Sequence, residues 1–281
     1  MSDAVRIANR LVWRDGAFSE GSRRVPEESA IALTYNGGTH AVMMGTPQDL
    51  ADFGIGFSLS EGIVDTADEI RSLDVVELDD GIEIRMWLAP ELAARMAERR
   101  RHIAGPTGCG LCGIDSIAEA VRAPSLVSEG RRFAPRDIMA ALAAVEPLQQ
   151  LNRETRAVHA AAFWTPARSI VALREDVGRH NALDKLAGAL AQSHTAAHEG
   201  IVLLTSRVSV EMVQKAAAMG APLVVAVSAP TALAIRMAEA AGITLVAVAR
   251  SDGFEIFTHP ERIIGADESA RSSQADTMHV A

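Results

Sequence analysis

The chain has 281 residues, 48 % of them hydrophobic and only 4 % aromatic, so a sizeable core is available and it is aliphatic. A formal net charge of −9 excludes the broad basic footprint that nucleic acid or an anionic membrane surface requires, though not a local basic pocket for a phosphorylated ligand. Two cysteines in a chain this long exclude a disulfide scaffold.

Met1 to Arg6 lack the apolar stretch of a secretory leader, and the apolar region Ala221 to Ala249 is interrupted by Pro230, Arg236 and Glu239. A cytoplasmic location without a membrane span is therefore expected. Residues 1–28 are polar and mixed and read as an N-terminal arm, with an edge strand near Arg10 to Trp13. Ile31–Tyr35 and His40–Met44 flank Asn36-Gly37-Gly38, a hairpin turn. Thr46 and Pro47 predict a helix from Pro47 to about Glu61, closed by Gly62. Val75–Leu78 and Ile82–Met86 predict a second hairpin about Asp79-Asp80-Gly81, and Pro90 starts another helix. Residues 29–128 thus read as a small α+β domain.

That domain presents the stretch Gly105-Pro106-Thr107-Gly108-Cys109-Gly110-Leu111-Cys112-Gly113. Both cysteines lie there, among four glycines that let the backbone take unusual angles. Arg99-Arg100-Arg101-His102 precedes them, and Ser116 to Glu119 has the form of a capping box that starts a short helix. A thiol near cations or a helix N-terminus has a lowered pKa and more thiolate. On chemistry alone a persulfide carrier and a dithiol redox site stand level. Zinc held by Cys109, Cys112, His159 and His180 ranks behind them, because no second tight ligand pair exists. Two merely packed cysteines are disfavoured by the glycines.

Residues 129–264 read as an α/β domain and 265–281 as a disordered tail. Pro135 to Gln150 predicts an alanine-rich helix, and Val158–Trp164 and Ser169–Leu173 predict strands. Glu175 to Lys185 is the densest polar cluster of the chain and leads into a helix; ligand or interface duty is slightly favoured over a solvated helix start. His159, in an apolar run, reads as a core histidine. Ile201–Thr205, Leu223–Val227 and Thr244–Val248 are unalternated apolar strands, separated by helices over Val210–Met219 and from Pro230 to Gly242. This pattern predicts a parallel sheet covered on both faces. Ligands of such sheets bind beyond the carboxyl ends of the strands. Here those ends carry Thr205-Ser206-Arg207, Ser228 to Thr231, and Arg250-Ser251-Asp252-Gly253. Arg207 and Arg250 are candidate cationic contacts and Asp252 a candidate acceptor for a guanine or ribose group. A nucleotide site competes on these residues with ordinary turn and cap duty. No GxGxxG and no Walker A motif is present.

The order and spacing of several stretches resemble the FdhD family, the formate dehydrogenase accessory sulfurtransferases. They are Gly56–Gly62, Arg99–Arg101 followed by Thr107–Gly113, Glu175–Lys185, Ser206-Arg207 with Glu211–Lys215, and Phe257–Arg262. The resemblance implies sulfur taken as a persulfide from a cysteine desulfurase. It implies delivery to the molybdenum bis(molybdopterin guanine dinucleotide) cofactor of formate dehydrogenase, bound as a client, with no tightly bound metal of the carrier's own. It implies catalysis by Cys109 with Cys112 as its partner, and cofactor binding by Val248, Ala249, Arg250, Ser251, Asp252 and Gly253. It also implies a homodimer, and a C-terminal three-layer, mostly parallel, cytidine deaminase-like domain without the deaminase zinc. A thiol–disulfide redox protein and a non-enzymatic molybdenum-cofactor chaperone are the alternatives.

Overall fold

The computed structural model describes residues 3–92 and 124–266. The architecture is mixed α/β, with three sheets among the described residues. The described residues form two compact units, each assembled from separated stretches. The first takes residues up to 92, 147–161 and 174–193; the second takes 124–146, 162–173 and 194–266.

In the first unit, β1 (Val5–Arg14) and β2 (Ala17–Pro26) make an antiparallel ribbon in perfect register, Val5 opposite Pro26 and Arg14 opposite Ala17. Asp15 and Gly16 turn it with φ of 52° and 81°, the left-handed pair that suits right-twisted strands. The sequence shows only a short edge strand here, because the alternation in Val5–Trp13 is broken by Asn9 on the apolar face and Val12 on the arginine face. A four-stranded sheet follows, ordered β4-β3-β6-β5, from β3 (Ser29–Tyr35), β4 (Gly38–Gly45), β5 (Ile70–Leu78) and β6 (Gly81–Leu88). Asn36-Gly37 makes the expected turn, again with both φ positive. β5 begins at Ile70 rather than Val75, since Leu73 pairs with Met86 and joins the core although its neighbours are polar.

One sheet face, with Ile31, Leu33, Tyr35, Ile84 and Met86, closes on Phe53 and Phe57 of α1 (Leu50–Ser60). That helix starts three residues later than the Thr46-Pro47 pair predicts. Thr46 is fully buried and occupied elsewhere: its hydroxyl accepts from the Val177 N–H at 3.1 Å and its carbonyl from Lys185 Nζ at 2.9 Å. Asp49, left-handed with φ 54°, leads into the helix instead.

The second unit holds most of a six-stranded sheet of order β12-β11-β10-β9-β7-β8, residues 159–161 and 174–176 of which belong to the first unit. Its strands are β7 (His159–Thr165), β8 (Ser169–Asp176), β9 (Ile201–Leu204), β10 (Leu223–Ala226), β11 (Thr244–Arg250) and β12 (Gly253–Ile256). β9, β10 and β11 are parallel and fully apolar at their centres, as predicted. β12 returns antiparallel along β11 and makes the sheet mixed. The helix expected from Pro135 to Gln150 is broken: α2 (Pro135–Val145) gives way to a 3₁₀ turn at Glu146–Leu148, then α3 (Gln150–Thr155) in the first unit. Pro147 has no N–H to continue the ladder. The core gathers Phe133, Ile138, Trp164, Ile201, Leu203, Val225 and Val246.

Candidate functional site

The carboxyl ends of β9, β10 and β11 form the candidate binding edge of the second unit. Past β9 and β10 the chain does not open at once. Val227 N–H donates to the Leu204 carbonyl at 2.9 Å, Val208 and Pro230 form a parallel bridge, and Thr231 N–H reaches the Val208 carbonyl at 3.0 Å. The loops are therefore held to each other and keep a fixed rim. α5 (Val210–Ala218) and α6 (Ala232–Ala241) start from this rim. Thr231 caps α6 by accepting from the Ala234 N–H at 3.2 Å.

At the end of β11 the register against β12 shifts between Ala247 and Arg250. Val248 sits there with φ 52°, a conformation that a β-branched residue adopts only under constraint. Its N–H is held by the Ser228 carbonyl at 3.3 Å. Bulges of this kind re-aim side chains at strand ends. Of the six expected cofactor residues, Ala249 is buried in the core, Arg250 donates to the carbonyls of Val227 and Ala249, and Ser251 and Asp252 are exposed. Asp252 has no hydrogen bond among the described residues and is free to accept one. Arg207 is exposed on the β9 loop, while Ser206 is buried and donates to its neighbour's carbonyl.

Ser209 was not singled out by the sequence. It occupies the cap position of α5, yet its hydroxyl makes no capping bond. The oxygen is shielded from solvent and has no hydrogen-bond partner among the described residues. A buried hydroxyl without a partner costs stability. Its signal was present as a serine directly before Val210 and Glu211 at a strand end.

The Glu175–Lys185 cluster lies in the first unit, where α4 (Arg179–Gln192) packs on α1. Here the slight preference for ligand or interface duty is corrected for most of its members. Lys185 and Asp176 are sealed from solvent and paired at 2.6 Å. Asp176 also accepts from the Thr46 N–H at 3.0 Å, the Gly178 N–H at 2.7 Å and Asn181 Nδ2 at 3.0 Å. Glu175 accepts from the N–H groups of Leu151 and Asn152, both at 2.8 Å, and burial pushes its carboxyl above the usual range. Asp184 accepts from Ser60 Oγ at 2.6 Å. These charges are consumed internally because they join stretches far apart in sequence. Arg179 differs: its Nε is shielded and has no partner among the described residues.

Cys109 and Cys112, with the basic run at 99–102 and the helix expected from Ser116, lie outside the described residues, as do residues 267–281 of the expected tail. Among the described residues no three His, Cys, Asp or Glu side chains gather as a metal site. Phe257–Arg262, part of the resemblance, lies at the opposite end of β11 from Val248. Thr258 Oγ1 donates to the Ile243 carbonyl at 2.6 Å and accepts from the Leu245 N–H, and Arg262 reaches Thr244 Oγ1 at 3.1 Å. His259 bridges Glu261 at 3.0 Å and the Glu239 carbonyl at 2.9 Å. The segment is a strap that fixes where β11 begins.

Comparison with known proteins accords with these features. A protein from Agrobacterium fabrum named sulfur carrier protein FdhD is 54 % identical over 260 residues, covering 92 % of this chain and 96 % of its own. One of the same name from Cupriavidus necator is 47 % identical over 251 residues, covering 89 % and 87 %. A crystal structure from Desulfotalea psychrophila, described as that of a formate dehydrogenase accessory protein, superposes with a TM-score of 0.72 at 25 % identity, covering 93 % of this chain and all of that one. The model of the FdhD/NarQ family matches residues 26–264. The span of that match takes in the four-stranded and six-stranded sheets, the polar cluster, the rim and the cysteine pair, and the chain belongs to the FdhD/NarQ family.

Proposed function

We propose that the chain is a sulfur carrier: it accepts sulfur from a cysteine desulfurase and delivers it to the molybdenum bis(molybdopterin guanine dinucleotide) cofactor of formate dehydrogenase. The observation that carries this reading is the near full-length likeness to proteins named sulfur carriers, combined with the chain's two cysteines spaced Cys109-x-x-Cys112. In the first step the Cys109 thiolate attacks the terminal sulfur of the donor's persulfide. A new S–S bond forms on Cys109, and the donor's cysteine leaves as a thiolate with the electron pair. In the second, the Cys112 thiolate attacks the Cys109 sulfur and hydrosulfide departs to the client. Two thiolates are oxidised to a disulfide while the sulfane sulfur is reduced to sulfide. A thiol reductant then reopens the pair for another round.

The client is a nucleotide-bearing group, and the rim of the second unit suits its guanine end. Asp252 is an exposed acceptor for the guanine N–H donors, and Arg207 is an exposed cation. Val248 to Gly253 form the cradle, with the bulge at Val248 turning the segment outward. The parallel strands and their rim are also what a cytidine deaminase-like domain would provide. In this reading the carrier works in the cytoplasm as a pair of identical chains.

The test is transfer of labelled sulfur. After incubation with desulfurase and cysteine, mass spectrometry of the protein should show one added sulfur on Cys109. Cys109→Ala should abolish both the adduct and formate dehydrogenase maturation while the fold, followed by circular dichroism, is kept. Full maturation by Cys109→Ala would remove the carrier reading in favour of a cofactor chaperone. An intramolecular disulfide without added sulfur would favour a redox protein.

A further inference from the structure

The β11–β12 hairpin is held in a register that its own residues do not favour. Ala247 is opposite Glu255 and Arg250 is opposite Gly253, so Val248 and Ala249 together face the single residue Phe254. This is a bulge, with one extra residue in β11. Without it Ala249 would face Gly253, and Arg250, Ser251 and Asp252 would make a three-residue loop. With it Arg250 is drawn into the ladder, and Ser251 and Asp252 alone form the tip. Two features oppose this register. Val248 is left-handed, with φ 52°, where a β-branched side chain is strained. Two-residue hairpin loops favour positive φ within the loop, because that matches the twist of the strands. Here φ is positive at neither Ser251 nor Asp252.

What holds the bulge comes from the neighbouring strand. The Val248 N–H is bound by the Ser228 carbonyl at 3.3 Å. Arg250 Nη1 donates to the Val227 carbonyl and, at 2.9 Å, to the Ala249 carbonyl. Val227 and Ser228 directly follow β10 and are themselves anchored, since the Val227 N–H reaches the Leu204 carbonyl at 2.9 Å. The guanidinium therefore ties the end of β11 to the end of β10. Arg250 is an exposed residue, yet its charge is turned back onto two main-chain carbonyls.

We infer that Arg250 is a positioning residue: its bond to the Val227 carbonyl holds the strained bulge at Val248 and so sets the Ser251–Asp252 tip where it meets the guanine base. This departs from the cationic contact that the strand-end position of Arg250 suggests, and leaves Arg207 as the cation free for a phosphate. Loss of the tie would let the hairpin slip toward the three-residue loop, with Asp252 displaced from its place at the tip. The inference rests on the reading of the rim as the guanine site, and on nothing in the sulfur chemistry.

Two measurements on the full chain test it. The first needs no ligand: hydrogen exchange of the amides of residues 248–254, followed by mass spectrometry. Arg250→Ala should speed it about 10-fold while the circular dichroism spectrum is unchanged. The second is equilibrium dialysis with guanosine and with guanosine 5′-monophosphate. If the tip adopts its productive register only a tenth of the time in Arg250→Ala, both probes should bind about 10-fold more weakly, although guanosine has no phosphate. Glycine takes a positive φ without strain, so in a Val248→Gly background Arg250→Ala should cost only about twofold. Unchanged exchange in Arg250→Ala overturns the inference whatever the probes do. Weaker binding of the monophosphate with guanosine unaffected overturns it in favour of a phosphate contact. An undiminished loss in the Val248→Gly background overturns the strain at Val248 as what Arg250 opposes. Faster exchange in Arg250→Ala, with neither probe bound by the wild type, supports the hold on the hairpin and overturns the guanine placement instead.

Discussion

Lys185 is fully buried, with Asp176 2.6 Å from its Nζ and the Thr46 carbonyl accepting a second hydrogen bond from it at 2.9 Å. Asp176 is satisfied by three N–H donors besides, from Thr46, Gly178 and Asn181. A buried pair is stabilising only when its remaining lone pairs are filled in this way. Glu175, next in the chain, is in a less favourable setting. Burial raises its pKa above the ordinary 4.5 despite two N–H donors and the field of Arg153. Between 4.5 and its raised value the folded chain holds a proton that the unfolded chain has released. The group's contribution to stability therefore rises as pH falls through the folded pKa and is lost as pH rises past it. Urea midpoints of wild type and Glu175→Gln at pH 7 and pH 5 report this. The wild type should gain on the variant at pH 5; a constant or reversed difference would show that Glu175 is not displaced upward. The same residues mark a limit of sequence reading. Asp176, Asn181 and Lys185 stand out as polar residues at a helix start. Nothing local distinguishes a ligand site from a buried ion pair whose further hydrogen-bond partner, Thr46, is 130 residues away from Asp176.

The pairing of α1 with α4 depends on two glycines. A Cβ on Gly56 would come 1.7 Å from the Asp184 carbonyl oxygen, and one on Gly188 would come 1.9 Å from that of Asp52. Both obstacles are backbone, so neither helix can yield locally. Around the contact, Asp52 takes Arg174 Nε at 2.6 Å and the Gln192 amide, and Ser60 takes Asp184. Close approach and polar pairing are thus one arrangement. Gly188→Ala should force the helices apart and destabilise the protein by about 3 kcal/mol. Differential scanning calorimetry would show it; an unshifted melting temperature would mean the helices are not in backbone contact. At this scale the sequence was most readable where the signal was local. The Asn36-Gly37 turn, β9, β10 and β11 follow from turn chemistry and apolar runs. β12 was missed because Phe254-Glu255-Ile256 is too short to show a period. The two-faced ribbon was reduced to one edge strand, because arginines alternate with apolar residues on a surface that the chain itself does not cover.

The largest feature without a local signal is how the chain is shared between its two units. Composition gave a soft break near residues 125–132, where turn-forming residues interrupt the apolar pattern. The first unit, however, draws α3 and α4 from beyond that point, returning to the second unit between them. Its early stretch, residues 3–92, contains α1 and the four-stranded sheet, but α4 supplies the partner of α1 and the Lys185 half of the buried pair, whose Asp176 ends β8. A fragment of residues 1–128 would therefore expose the α1 surface around Gly56 and leave Thr46 and Asp52 without their partners. It should bind a hydrophobic dye and melt without a cooperative transition, whereas the full chain melts cooperatively. The measurement is thermal unfolding of both, followed by far-ultraviolet circular dichroism and dye fluorescence. A sharp transition in the fragment would mean that the sheet and α1 are self-sufficient, with α4 an addition to a unit already complete. The binding rim is placed differently. β9, β10 and β11, with the loops that end them, come from one uninterrupted stretch after residue 194, which is why the strand-end residues could be singled out from the sequence while the α1–α4 contact could not.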